Sequence, residues 1–297
     1  MKKRRNITTA DIEGWRAAGL GQGTGCSYRP WLTIRDVPSR GRKSRPWGAT
    51  TGRVHHMLSD NELHFFLYAD FAKEVVDIRE QFPLFPQEET AKLAEDLGIS
   101  HPRYPGTSTL TVITTDFLLT IRHPEGNLEY SAYSIKSSEE LQGPERKRTL
   151  EKLQLERQYW LARGIRWQLF TDREFDRVRI TNIEWLSYLS HLEPTPLAHR
   201  IPEFLRFVQN RWRRKTPLFA LLEETATALP GTTLADVDQL FRYCVWQHLI
   251  EIDMTRPIGP RCSITVLYVS TIYDSNSNEA DFAQLSSQSG AGLDARH

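Results

Sequence analysis

The chain has 297 residues, 39% of them hydrophobic, which leaves room for two domains with separate cores. No run approaches the roughly 18 to 20 apolar residues that span a bilayer, and the basic opening Met1 to Arg5 leads into no secretory core, so a cytoplasmic, non-membrane protein is expected. The net charge of +1 hides an asymmetry, because residues 1–50 hold eleven lysines and arginines against Asp11, Glu13 and Asp36, a surplus suited to phosphates.

Cys26, Cys244 and Cys262 are too few and too scattered for a disulfide framework or paired zinc ligands. Thr9 to Ala18 reads as a helix with Asp11 and Glu13 in its first turn and Gly19 as its stop. The glycine run from Gly19 to Gly25 follows no strand and ends in no Gly-Lys-Ser/Thr, so it is no nucleotide loop. Arg40, Arg42, Lys43 and Arg45, interleaved with Trp31 and Trp47, mark residues 1–50 as a basic N-terminal arm whose later cluster docks and can neutralise phosphates; a solvated tail is the alternative for the first residues. Ser59 and Glu62 form a capping-box pattern before Leu63, Phe66, Leu67 and Phe71, which predicts a helix over Asp60 to Ala72. That pattern alone accounts for a glutamate at 62.

Val75 to Ile78 is a short strand candidate, and Phe82 to Pro86 an apolar turn. Leu110 to Ile121 and Leu128 to Ile135, parted by Pro124, Gly126 and Asn127, predict a β-hairpin. Arg146 to Arg163 reads as a helix ended by Gly164, and Ile165 to Thr171 as a strand. The order of helix, strand, hairpin, helix and strand is a mixed α/β core, assigned to residues 51–185. Beyond Trp185 come helices over Ile201 to Arg214, Leu218 to Leu229 and Leu234 to Leu249, then strands over Ile250 to Asp253 and Ser263 to Val269. Three helices and a hairpin predict a winged-helix-like domain over residues 186–272. The Ser-, Asn- and Gln-rich stretch from 273 to 297 lacks the apolar surface to fold alone and is expected to be a disordered tail.

Asp116 in the first hairpin strand and Lys136 at the end of the second come to the same end of a sheet. Phosphodiester hydrolysis needs a divalent cation held by hard oxygen ligands, and a neighbouring lysine can orient the attacking water or stabilise developing charge. The same spacing also describes an ordinary ion pair. Glu156 lies near the edge of the apolar stripe of its helix, where the pattern by itself reads as an ordinary solvent-facing glutamate. His55 and His56, adjacent in sequence, are read as packing or phosphate contacts.

The segments Pro30-Trp-Leu-Thr-Ile34, Thr51-Gly-Arg-Val-His-His-Met-Leu-Ser-Asp-Asn-Glu62, Val76-Asp-Ile-Arg-Glu-Gln-Phe-Pro83, Thr115-Asp-Phe117, Ser134-Ile-Lys136 and Thr149-Leu-Glu-Lys-Leu-Gln-Leu-Glu-Arg-Gln-Tyr-Trp160 together resemble the TnsA family of transposon endonucleases. The resemblance covers most of residues 28–190. It implies a type II restriction-endonuclease-like mixed-sheet nuclease domain that cuts the 5′ ends of a transposon, working with a TnsB-type transposase and an ATP-dependent TnsC-type regulator on double-stranded DNA. It implies one or two Mg²⁺ or Mn²⁺ ions, with Glu62 and Asp116 as ligands joined by the Ile135 carbonyl, Lys136 as the catalytic lysine and Glu156 as a further acid. Ser134 departs from the family, which has Gln or Glu there; the serine reaches a metal through a water at most, so a catalytically weak scaffold is the alternative. The C-terminal resemblance is slighter and implies a winged-helix-type domain engaging DNA or the regulator. Arg53 and the run Arg211, Arg213 and Arg214 complete the expected DNA contacts; a solvated helix end explains that run equally well.

Overall fold

The computed structural model describes residues 7–37, 41–191, 197–212 and 216–271. Chain contacts divide them into two compact units, the first ending at Glu174 and the second beginning at Phe175. The sequence boundary near 185 falls inside a helix of the second unit. Arg40, Arg213, Arg214 and the expected tail lie outside the described residues. No helix among the described residues is long and apolar enough to cross a membrane.

The first unit opens with α1 (Thr9–Ala17), where the Thr8 hydroxyl accepts from Asp11 N and the Asp11 carboxylate accepts from Thr8 N, satisfying two otherwise orphaned donors. Ile12, Tyr28 and Trp31 are buried, with Trp15 and Phe85 edge-on to Trp31. The described part of the basic segment is thus built into the unit instead of forming a separate arm, because its apolar residues outweigh the charge of its surface. A short hairpin follows, β1 (Trp47–Gly48) against β2 (Arg53–Val54).

Helix α2 (Asp60–Phe71) is capped by the Ser59 hydroxyl, which accepts from Glu62 N at 3.2 Å. Next come β3 (Val75–Pro83), α3 (Gln87–Asp96), β4 (Thr114–Arg122), β5 (Leu128–Lys136), α4 (Arg146–Leu161) and β6 (Arg166–Thr171). The four long strands form one sheet in the order β3-β4-β5-β6, the first two pairings antiparallel and the last parallel. The parallel pairing needs a crossover, which α4 supplies. One sheet face meets α2, whose Phe65 packs its ring against Phe117, Tyr133 and Phe170. A second apolar cluster joins Leu118 and Ala132 of the sheet to Leu155, Tyr159 and Trp160 of α4 and to Leu84 and Ala94.

Two features depart from the sequence reading. Strand β3 runs on to Pro83, so the expected turn at Phe82 and Pro83 is strand; α3 was not anticipated at all. In the second unit, α5 (Arg177–Ser187), capped by Asp176, precedes α6 (Ile201–Arg211), α7 (Leu218–Ala228) and α8 (Leu234–Trp246). Strands β7 (Ile250–Ile252) and β8 (Val266–Val269) pair antiparallel. Its core is apolar, with Phe204, Val208, Leu218, Val237, Leu240 and Phe241 buried. Asn182 on α5 donates to the Met254 and Arg256 carbonyls and accepts from Ile258 N at 2.9 Å, pinning the connection after β7.

Candidate active site

The hairpin brings Asp116 of β4 and Lys136 of β5 into contact. Asp116 Oδ2 accepts from Lys136 Nζ at 3.0 Å and from Ile135 N at 2.7 Å. Lys136 Nζ also donates to the Ile135 carbonyl at 2.8 Å. Two oxygens assigned above to a metal, Asp116 Oδ2 and the Ile135 carbonyl, therefore converge on one cation, the lysine's own ammonium. From β3, Gln81 Nε2 reaches Asp116 Oδ1 at 3.4 Å.

Glu62 and Glu156 complete the cluster. Glu62 is buried at the start of α2, its carboxylate accepting from Leu58 N at 3.0 Å and from the Ser59 hydroxyl at 3.2 Å. The expected reciprocal bond to Ser59 N is replaced by the one from Leu58. Burial, then repulsion from Asp116, pushes its carboxyl up to about 7, against the pull of those hydrogen bonds and of Lys136. Glu156 points inward from α4, not to solvent. Burial and then Asp116 push it up to about 8, opposed by Lys136. Burial lowers the Lys136 pKa, but Asp116, Glu156 and Glu62 together raise it above its ordinary value. The ammonium stays charged, while burial first and Asp116 second raise both glutamates towards the neutral range.

Ser134 is fully buried; its hydroxyl donates to Glu156 Oε2 and accepts from Trp167 Nε1 at 3.1 Å. Its donor hydrogen and one lone pair are engaged away from Asp116. Among the described residues no group of three His, Cys, Asp or Glu side chains is arranged to hold a metal ion by itself. Hard oxygens of two carboxylates and a carbonyl still fit a cation that keeps several waters, as Mg²⁺ does.

The expected DNA contacts fare differently. Arg53 is a correction. Its guanidinium is buried, bonding Glu80 Oε1 at 2.9 Å and Oε2 at 2.5 Å, and the Ile78 carbonyl at 2.9 Å. It lies over the Tyr28 ring, so its charge is spent inside the fold. His55 is wholly buried too, with Nδ1 2.8 Å from Glu80 Oε2 and Nε2 2.7 Å from the Thr51 hydroxyl; this Thr-His-Glu series holds β2 to β3 away from solvent. A Cβ on Gly48 would stand 2.6 Å from His55 Nε2, so that close approach needs glycine. Arg42 pairs with Asp60 at 2.8 Å on the surface, Lys43 donates to the Ile34 and Val37 carbonyls, and Arg211 stands 3.7 Å from Glu224. Arg45 is exposed. Gln81 is the site neighbour that sequence reasoning missed, since a glutamine within a strand gives no signal of its own.

The sequence pattern of the family described as TnsA-like endonuclease N terminal matches residues 72–172. This stretch holds Asp116, Lys136 and Glu156, with Glu62 just upstream. The Escherichia coli protein called Transposon Tn7 transposition protein TnsA is 45% identical over 193 residues, which is 62% of this chain and 68% of that protein.

Proposed function

The chain belongs to the TnsA-like endonuclease family, and from that premise we propose that it cuts the 5′ strands at transposon ends by metal-dependent phosphodiester hydrolysis. The observation that carries this reading is the convergence of Asp116 Oδ2 and the Ile135 carbonyl on a cation at the sheet end, with Lys136 supplying that cation. Glu62 and Asp116 would hold one or two Mg²⁺ or Mn²⁺ ions with the Ile135 carbonyl, and Glu156, bonded by the Ser134 hydroxyl, is the further acid of the cluster. A divalent ion held by these residues would supply the polarisation of the scissile phosphate and a more acidic water. Lys136, kept charged by its carboxylates, gives its positive charge to the phosphorane oxygens as they gain charge. Asp116 and Ile135 hold that lysine in place. The raised carboxyls of Glu62 and Glu156 support the same reading, because a cluster with surplus acid gains most from a cation.

We assign the partners as double-stranded transposon-end DNA, a TnsB-type transposase cutting the other strand and a TnsC-type ATP-dependent regulator. The second unit is assigned a winged-helix-like role, with β7 and β8 as the wing, in docking DNA or the regulator. Arg42, Arg45 and the described Arg211 are the exposed cations assigned to phosphates; Arg42, Arg211 and Lys43 engage DNA by leaving Asp60, Glu224 and the Ile34 and Val37 carbonyls. Ser134, with its hydroxyl engaged by Glu156 and Trp167, favours a second reading in which the domain is a catalytically weak scaffold. Strand-specific cleavage of a labelled transposon end with Mg²⁺ and both partners separates the two. Nicks at the 5′ ends that vanish in Asp116→Ala support the endonuclease; intact 5′ strands beside cut 3′ strands establish the scaffold.

A further inference from the structure

Strand β3 contains one residue in a conformation that a strand does not require. Gln81 has φ of 49°, in the left-handed region that non-glycine residues seldom occupy. Its neighbours are regular, Glu80 pairing with Phe117 and Phe82 with Thr115, so Gln81 faces Asp116 across the ladder. The turn of the backbone carries its carboxamide to the candidate site. Nε2 stands 3.4 Å from Asp116 Oδ1, and Oε1 accepts from the Thr114 hydroxyl at 3.1 Å. Chemistry supports this orientation, since a carboxylate only accepts and must therefore meet the NH₂ end.

The side chain is only 2% exposed, and Trp31 N donates to the Gln81 carbonyl at 3.3 Å. Conformations of this kind persist where the surroundings over-determine them, and they gather at functional sites. Ser134, the polar side chain beside Ile135, is turned to Glu156 and Trp167 and offers Asp116 nothing. We infer that Gln81 is a positioning residue for Asp116: by holding Oδ1 from β3, it keeps Oδ2 aimed at the Ile135 amide and at the cation position beside the Ile135 carbonyl. The inference rests on the nuclease reading above. It adds that the metal-binding rotamer is set from the strand opposite the Asp116–Lys136 pair.

Two substitutions separate the amide from the backbone. Gln81→Gly removes the carboxamide and accommodates a positive φ; Gln81→Asn keeps a carboxamide on the residue type that best tolerates that region after glycine. Each protein, with the parent and Asp116→Ala, is titrated with Mn²⁺ alone while free Mn²⁺ is read by electron paramagnetic resonance. Melting temperature and 5′-strand cleavage in the full assembly are measured alongside. Gln81→Gly is expected to melt within a few degrees of the parent and to bind Mn²⁺ about 10- to 100-fold more weakly, the usual cost of losing an outer-shell partner. Raising the Mn²⁺ concentration restores part of its cleavage, and Gln81→Asn recovers part of the affinity. Parental Mn²⁺ affinity and cleavage in Gln81→Gly overturn the inference alone. Large, equal losses of melting temperature in both variants also overturn it, marking Gln81 as a structural piece of β3. A parent that neither binds Mn²⁺ through Asp116 nor cuts removes the nuclease reading and this inference together.

Discussion

Replacing Arg53 with Met leaves the aliphatic volume and removes the charge facing Glu80. In the folded chain burial raises the Glu80 carboxyl, but the hydrogen bonds and charges of Arg53 and His55 outweigh it and hold the group at about 2. Against an ordinary value near 4.5, that depression is worth about 3 kcal/mol at neutral pH. Removing one partner of a buried ion pair costs about 3–5 kcal/mol, so the two routes agree. The sign with pH follows from linkage. A depressed carboxyl stabilises the parent above pH 4.5, and the gain is lost as pH falls towards 2. In Arg53→Met the carboxyl keeps only His55 as a charged partner, so most of that pH-dependent gain is absent from the variant. Urea unfolding of both proteins between pH 7 and pH 3 should therefore show a gap of several kcal/mol that is full above pH 4.5 and narrows below it. A gap that is constant across that range, or below about 1 kcal/mol throughout, would refute the placement of this pair in the interior.

The candidate site should carry a stability cost that a neutral isostere relieves. Glu156, pushed up to about 8, costs folding free energy above its unfolded pKa near 4.5, so Glu156→Gln should raise the melting temperature at pH 8 by the equivalent of a few kcal/mol and leave it unchanged near pH 5. An equal effect at both pH values contradicts that assignment. In the second unit, Asn182→Ala removes three hydrogen bonds from a buried side chain to half-buried backbone groups and should destabilise that unit by about 2–3 kcal/mol. Hydrogen exchange should then quicken at Ile258 N; unchanged protection there would count against the clamp.

Much of the fold was legible where side chains follow a period or a cap. The Ser59 signal marked α2, the hairpin was marked by the turn at Pro124 to Asn127, and Gly164 marked the end of α4. Helix α3 was hidden because only Thr90 and Ala94 are buried on it, which makes no apolar stripe. The second half of β3 was hidden for the opposite reason: Arg79, Glu80 and Gln81 are buried but polar, and no alternation rule expects charges on the inside. Arg53 was misread by the same token, since its partner Glu80 is 27 residues away. The Asp116–Lys136 pair came from hairpin geometry and the family resemblance, whereas the inward turn of Glu156 came from resemblance alone. The engagement of Ser134 with Glu156 and Trp167 depends on contacts between α4, β5 and β6 that no local pattern encodes.

The order of the main sheet follows the order of the chain, and this has a kinetic side. Each strand from β4 onward pairs with the one synthesised just before it, but only the β4–β5 pairing closes a short loop; the β3–β4 and β5–β6 pairings must wait for the longer segments that carry α3 and α4. Asp116 and Lys136, 20 residues apart, meet as soon as the hairpin closes. Arg53 and Tyr28 must instead reach Glu80 across 27 and 52 residues. The acid–lysine pair is thus a local product of one hairpin, while the network that braces β3 ties together distant parts of the chain.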